Sequence, residues 1–412
     1  MVKESIVVVK FGGSCLESGE AIGKAAEHIL NEYAQGKGLV VVVSALNGMT
    51  NSLISWAQSC TNGKVKLEEL DEIMAMGERT SARLMMSSLN SKDMDTVLVD
   101  PASDLWPIYT NSRHGDAEPD MIETRKAVQE RILPLIKENK VIVVPGFLGK
   151  DKDTGKITTL GRNGSDTTAV LLGNCLDASE VILVKDVEGI YSGDPKKIAE
   201  TTLIEHLDIE EVLSLTSAGA KIVHSKALRF KPKDMDIRLV GFHNGQISKG
   251  GTLISGAVLP DLHTSIFSKR LQMITIVGKN VTKAENVHLL IDEIRKMGCE
   301  LIGASLESGS VIFYATIPEA GSVALVRILH EKMIEAKIGK AITNHDDLAL
   351  ITISGRDLET TPGVIERISH PFTEMNLYGF LTINSNIRVF VDWNERESAL
   401  KQVKEALNLP NQ

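Results

Sequence analysis

At 412 residues, with hydrophobic residues at 43% and charged residues at 24%, the chain has the composition of a soluble globular protein. It is too long for one core, since single cores stop growing at roughly 250–300 residues. A net charge of −9 argues against a general nucleic-acid binder, which needs a basic surface, and no apolar run is long enough to span a membrane. Lys3 and Glu4 lead directly into a strand-length apolar run, so no export signal is expected. The four cysteines include no CxxC pair and are expected as reduced thiols in a cytoplasmic protein, with Cys15 set apart by its place beside the first glycine turn.

Ile6-Val7-Val8-Val9 reads as a strand buried on both faces of a parallel sheet. Lys10 follows at the strand end, then Gly12-Gly13, ahead of a helix predicted over residues 16–33. A cation beside a glycine turn that opens onto a helix N-terminus is the outline of a phosphate cradle, although the spacing of a Walker A loop is absent. Residues 38–43 form a second buried strand ending in Ser44-Ala45, followed by a turn over 47–51 and a helix over 52–59. The periodic stretch 67–89 predicts a long helix carrying Gly77-Glu78-Arg79. A mid-helix glycine costs about 1 kcal/mol against alanine and calls for a structural reason, and Glu78 beside it is either ligand-facing or a solvated charge. A short strand over 96–99 precedes a polar loop, 109–116, that is functional or merely exposed. A helix over 122–139 holds Pro134 inside or at a break, and a buried strand, 141–144, ends in Pro145-Gly146. A polar turn, 150–155, delivers Ile157–Leu160 and then Gly161-Arg162-Asn163-Gly164-Ser165-Asp166, which leads into an apolar helix. Capping accounts for Ser165 or Asp166 but leaves Arg162 unexplained, and its fork of donors suits a carboxylate or phosphate. A strand over 181–184 closes in Lys185-Asp186, helices follow over 209–216 and from Gly219, and 237–240 is a further strand. Strands alternating with helices over about 250 residues predict a three-layer αβα sandwich with a mostly parallel sheet and ligands at the strand ends. After Leu259-Pro260-Asp261 the order strand–helix–strand–strand–helix occurs twice, about 75 residues apart, which predicts two α+β ferredoxin-like modules.

Several motifs stand in one order. They are Lys10-Phe11-Gly12-Gly13; Ser44-Ala45 with Thr50-Asn51; Gly77-Glu78-Arg79-Thr80-Ser81-Ala82; and Thr159-Leu160-Gly161-Arg162 with Gly164-Ser165-Asp166. After them come Lys185-Asp186-Val187 through Tyr191 to Asp194-Pro195; Gly219-Ala220-Lys221-Ile222-Val223-His224; and Gly251-Thr252. In that set the chain resembles the aspartate kinases of the amino-acid kinase superfamily, over nearly its whole length. The resemblance implies an amino-acid kinase catalytic domain over 1–260 and two ACT-like modules over 270–345 and 346–412. It implies ATP-dependent phosphorylation of the side-chain carboxylate of L-aspartate, a homodimer formed through the ACT modules, and a cytoplasmic location without nucleic-acid or membrane partners.

On that resemblance Lys10 and Lys221 stabilise charge on the transferred phosphoryl group, Asp166 holds the lysines, and Gly12 and Gly13 donate backbone hydrogen bonds to phosphate. Arg162 grips the substrate α-carboxylate, Glu78 takes its ammonium group, and Thr50 and Ser165 complete the pocket. Phe11, Lys185, Asp186, Tyr191, Lys196 and Ile222 line the ATP site. Mg2+ arrives with ATP, held by its phosphates, and no protein metal cluster is expected. The chain departs from the family at Ser14-Cys15, Asn163, Lys185 and His224-Ser225, which marks a divergent member. In the second module Thr361-Pro362-Gly363-Val364 keeps the ACT signature, whereas the first has Lys283-Ala284-Glu285-Asn286, so regulation and dimerisation alone both remain open as the modules' role. The alternatives are a kinase of the same fold with another amino-acid or carboxylate acceptor, and a catalytically silent ACT-type sensor. Retention of Lys10, Arg162, Asp166 and Lys221 together argues against the sensor.

Overall fold

The computed structural model describes residues 5–217, 223, 225–256, 262–355, 358, 364–373, 375–383, 386–407 and 409. The chain divides into two compact units, Met1–Val258 and Leu259–Gln412.

The first unit is built on an eight-stranded sheet. Its strands are β1 (Ile6–Phe11), β2 (Gly38–Val43), β3 (Thr96–Leu98), β4 (Val141–Pro145), β5 (Glu180–Lys185), β6 (His206–Asp208), β7 (Asp236–Gly241) and β8 (Thr252–Ser255). They lie in the order β6-β8-β7-β5-β1-β2-β4-β3, parallel throughout except for the β7–β8 pair. Strand side chains alternate between faces, so β1 sends Val8 into one core and Val7, Val9 and Phe11 into the other. In β5, Val181 and Leu183 join the first core, and Ile182 and Val184 the second. Helix α1 (Gly19–Ala34) and helix α3 (Leu67–Asn90) fill the second core with Ile22, Ile29, Met85 and Leu89; helix α2 (Met49–Cys60) packs against α3. Helix α4 (Gly164–Cys175) fills the first with Ala169 to Leu172 and Cys175. The unit is therefore a three-layer αβα sandwich. The strand order reverses beside β1, with β2 and β4 on one side and β5 returning to the other. Open α/β sheets bind ligands at such a switch point, outside the carboxyl ends of the strands.

One local element differs from the sequence expectation, and a second decides between the two alternatives expected for Pro134. The first helix begins at Gly19, because the Ser18 hydroxyl caps it by accepting from the Ala21 N–H at 3.1 Å, and Gly13–Cys15 turns as a short 3-10 segment before it. The helix around Pro134 is interrupted: Met121–Ala127 passes through a π turn, Val128–Ile132, into Leu133–Lys137. Proline has no N–H to continue the ladder, and the chain widens just ahead of it.

The second unit carries one antiparallel sheet. Strands β9 (Leu262–Ile266), β10 (Leu271–Val277), β11 (Leu301–Glu307), β12 (Ser310–Thr316), β13 (Ala341–Gly355), β14 (Gly379–Ile383) and β15 (Asn386–Asp392) alternate with helices α5 (Ala284–Lys296), α6 (Ser322–Glu335), α7 (Val364–Ser369) and α8 (Arg396–Ala406). The order β11-β12-β10-β13, with α5 and α6, makes one ferredoxin-like module, and β14-β15-β13-β9, with α7 and α8, makes another. The expected division at 345/346 falls inside the single strand β13, which serves both modules. The fourth strand of the second module comes from β9, where Leu262 pairs with Gly355, and so lies outside 346–412.

Candidate active site

Lys10 shares its face of β1 with Val8, and Lys185 follows Leu183 on the same face of β5, so strand alternation alone aims both at the start of α4. There they meet Asp166, which is 2% exposed. The Lys10 Nζ lies 2.6 Å from Asp166 Oδ1, and the Lys185 Nζ lies 3.1 Å from Oδ2. Burial pushes this carboxyl up, but the ammonium groups of Lys10 and Lys185 outweigh it and hold Asp166 down at about 2. Two cations therefore share one carboxylate at the switch point. Gly13 completes the turn: a Cβ there would stand 2.9 Å from the Ala45 carbonyl oxygen, so a glycine lets the turn after β1 lie against the turn after β2.

Two expectations for this turn are corrected. The Gly12 N–H, expected on phosphate, donates to the Val184 carbonyl at 3.2 Å and ties β1 to β5. Phe11, expected at the nucleotide, is wholly buried in the second core, edge-on to Phe242 at 6.4 Å. Alternation requires this, since the neighbour of Lys10 must face the other way. Cys15 is also buried there; its thiol contacts the Val184 carbonyl at 3.6 Å, and burial pushes it up to about 11, so it stays protonated and inert at neutral pH.

Beside the cationic cluster lies a cavity of about 370 Å³ lined by Thr50, Glu78, Phe147, Arg162, Asn163 and Ser165, among others. A second, of about 230 Å³, is lined by Gly13, Ser44, Asn47, Thr50 and Glu78, so Thr50 and Glu78 belong to both. The reason for the mid-helix glycine is visible here. A Cβ on Gly77 would stand 2.9 Å from that of Ala45, and its absence lets α3 rest on the turn after β2. Glu78 Oε1 then accepts from the Ala45 N–H at 3.1 Å, while the buried Oε2 has no partner among the described residues. Burial pushes the Glu78 carboxyl up to about 7. Glu78 is therefore not a solvated charge. Arg79 turns away to a two-pronged pair with Asp100, at 2.9 and 3.0 Å.

Arg162 projects from a turn held by two left-handed residues, Gly161 (φ +76°) and Asn163 (φ 54°). It is exposed, and among the described residues none bonds or ion-pairs with its guanidinium. The expected capping by Ser165 or Asp166 does not occur. Asn163 holds the cap position without a side-chain bond, Ser165 Oγ lies 2.8 Å from Ser44 Oγ, and Asp166 is taken by the lysines. One cavity thus offers a guanidinium and a buried carboxylate with one oxygen unpartnered among the described residues, a pairing suited to a zwitterionic amino acid.

The loop after β5 carries the remaining expected residues. Asp186 and Lys196 are exposed, and Tyr191 Oη donates to Glu188 Oε2 at 3.3 Å. Lys221 and Ile222, with the helix expected from Gly219, lie outside the described residues, as do 361–363 and 384–385. One anchor of the site is not apparent from motifs. Asp71 is fully buried on α3 and pairs with His114 Nδ1 at 2.8 Å, the Gly115 N–H at 3.1 Å and Thr159 Oγ1 at 2.6 Å. It ties the polar loop 109–116 to the strand that leads to Arg162. The available signal is spacing, since Asp71 lies two helical turns before Glu78 on the same face. Lys226, also buried, donates to Asp116 Oδ1 at 2.8 Å and to the Ala117 carbonyl at 3.0 Å, holding the same loop from the other side.

The sequence profile of the Amino acid kinase family matches residues 5–241. The chain belongs to that family. Among relatives, the aspartokinase of Geobacillus stearothermophilus is 28% identical over 417 residues, covering 98% of this chain and 97% of its own. The solved aspartate kinase from Synechocystis has a TM-score of 0.78 at 22% identity, with 98% of this chain and 70% of that one covered. E. coli aspartokinase III, solved in complex with aspartate and ADP in its R-state, has a TM-score of 0.56 at 22% identity, with 98% and 100% covered.

Proposed function

We propose that this chain transfers the γ-phosphoryl group of ATP to the side-chain carboxylate of L-aspartate, forming 4-phospho-L-aspartate and ADP at the head of aspartate-family amino-acid synthesis. The observation that carries the reading is the adjacency, at the switch point of the sheet, of the Lys10–Asp166–Lys185 cluster and the cavity lined by Arg162 and Glu78. The aspartokinase names of the relatives support the choice of acceptor.

In this reading Arg162 takes the α-carboxylate, Glu78 the ammonium group, and Thr50 and Ser165 the remaining polar contacts. A side-chain oxygen of aspartate attacks the γ-phosphorus as the bond to the bridging oxygen breaks, and the electron pair leaves with ADP. A carboxylate is already a nucleophile at neutral pH, so no general base is needed. Catalysis reduces to positioning and to cations where charge develops. Lys10 supplies one such charge, and Gly13 brings its turn against the transferred group. The ATP site extends over Asp186, Tyr191 and Lys196, with Lys221 and Ile222 completing it. Mg2+ belongs to the nucleotide: both Asp166 oxygens are engaged by ammonium groups, so the residues present fit an ion held by the phosphates. The same reading assigns 1–260 to catalysis and the two ferredoxin-like modules to ACT domains that form a homodimer, in a cytoplasmic enzyme without nucleic-acid partners.

The test is hydroxamate formation with ATP, magnesium, hydroxylamine and a panel of amino acids. Product with aspartate is expected. Product only with a different acid would move the assignment to another acceptor, and ATP binding without any product would replace the enzyme by a sensor.

A further inference from the structure

We propose that Lys185 is a further catalytic cation of the phosphoryl transfer, beside Lys10 and Lys221, held by Asp166 to meet the charge that develops on the departing diphosphate. The proposal rests on the kinase reading above and adds a residue to its chemistry.

The placement comes first. Lys185 ends β5, and β5 and β1 flank the point where strand order reverses. The Gly12 N–H to Val184 carbonyl bond fixes the two strand ends together, and alternation puts Lys185 on the face of Lys10. Asp166 then gives one oxygen to each lysine. A single lysine would neutralise this carboxylate. A second ammonium on the same carboxylate adds like-charge repulsion in a partly dry site, and such crowding is favourable where an anion arrives to relieve it. Lys185 is also the more reachable cation, since its side chain keeps 20% exposure against 7% for Lys10. It opens the loop that reaches Asp194, the stretch the nucleotide reading assigns to ATP.

The chemistry then separates the two lysines. As the acceptor oxygen bonds to the γ-phosphorus, the bond from that phosphorus to the bridging oxygen breaks. The electron pair stays on the diphosphate, which gains one negative charge, and no proton moves. Lys10, deeper at the turn, serves the transferred group; Lys185, at the mouth of the nucleotide loop, donates to the oxygens that receive the leaving charge. A donor aimed at developing charge acts on turnover more than on ground-state binding.

The test compares the full chain with Lys185→Met and Lys185→Arg, using whichever acceptor the parent turns over. Lys185→Met is expected to lower kcat by about 100-fold while the KM for the acceptor stays within about threefold, and Lys185→Arg is expected to restore most of the loss. Thermal unfolding and ADP binding are measured on the same samples. A kcat unchanged in Lys185→Met overturns the proposal. So does a loss that tracks lowered stability or lost ADP binding and is not recovered in Lys185→Arg, which would make Lys185 a structural counter-ion. If Lys185→Met fails to fold, a folded Lys185→Arg with parental kcat supports the cationic role, and one as inactive as an unfolded chain overturns it. A parent that turns over no acceptor overturns the kinase reading and this inference together. A parent that turns over, with Lys185→Met equal to it, overturns this inference alone.

Discussion

The most informative perturbation is Glu78→Gln, because Glu78 is the one residue of the acceptor cavity whose charge is set by the fold. Burial raises its carboxyl from 4.5 to about 7, which at about 1.4 kcal/mol per unit corresponds to about 3 kcal/mol against ionisation. An arriving ammonium group must bind the ionised form, so acceptor binding is coupled to loss of a proton. Between about pH 8 and about pH 6 the ionised fraction of a group near 7 falls about tenfold, and the KM for aspartate is expected to rise by the same factor. Glu78→Gln should raise KM by about 10- to 100-fold, the worth of a charge-assisted hydrogen bond, and flatten its pH profile. The empty enzyme carries the opposite signature. A carboxyl raised on folding contributes stability that is fully present below 4.5 and is lost as pH rises through about 7, so the first unit should lose about 3 kcal/mol across that window. Urea titration of parent and variant at both ends of the window measures the difference, which Glu78→Gln should abolish. A parent KM that does not change from about pH 8 to about pH 6, or a variant that keeps the parental slope, would refute the reasoning.

Two further outcomes follow from the same geometry. Lys10→Ala removes the nearer cation and should lower kcat by about 1,000-fold with the fold intact by circular dichroism; turnover within about tenfold of the parent would remove Lys10 from the chemistry. Gly77→Val places a Cβ where Ala45 already stands at 2.9 Å, so α3 must lift from the turn after β2; stability should fall by about 1–3 kcal/mol and the KM for aspartate should rise more than kcat falls, as read by thermal unfolding and steady-state kinetics.

The sandwich is legible in the valine-rich runs of β1, β2 and β4, because a strand buried on both faces carries no polar alternation to obscure it. β9 and the first half of β13 are not, because Leu262-His263-Thr264-Ser265-Ile266 and residues 341–347 mix polar side chains into half-exposed strands whose partners lie far away in sequence. The charges of the site are equally legible as residue types next to glycines. Their mutual geometry is not. The family resemblance assigns Phe11 to the nucleotide, whereas alternation sends adjacent side chains to opposite faces and makes Phe11 core. The same alternation, carried from Leu183 to Lys185, points Lys185 at Asp166, but it acts only once β5 is known to neighbour β1, and that pairing is a property of topology. Asp71 escapes because a buried carboxylate and an exposed one look alike on a helix until their partners, here His114, Gly115 and Thr159, are brought up by a distant loop and strand.

Acceptor choice is better sought at Asn163 than at Cys15. The Cys15 thiol is turned into the second core, so its chemistry does not reach the cavity. Asn163 lines the cavity and carries the backbone of the Arg162 turn at φ 54° and ψ 29°, in the left-handed region that asparagine tolerates and glycine adopts freely. Asn163→Gly therefore preserves the turn while deleting the side chain, and Asn163→Val deletes the amide while straining the turn, since a β-branched residue there is a steric outlier. If the amide contacts the acceptor, both variants lose discrimination between aspartate and longer carboxylates. If the backbone is what matters, Asn163→Gly keeps kcat/KM for aspartate within about threefold, whereas Asn163→Val costs about 1–2 kcal/mol and raises KM by displacing Arg162. The left-handed turn and the exposed guanidinium it presents, unpaired among the described residues, favour the second outcome. Equal kinetics for the glycine and valine variants would show that Arg162 is not positioned by this turn.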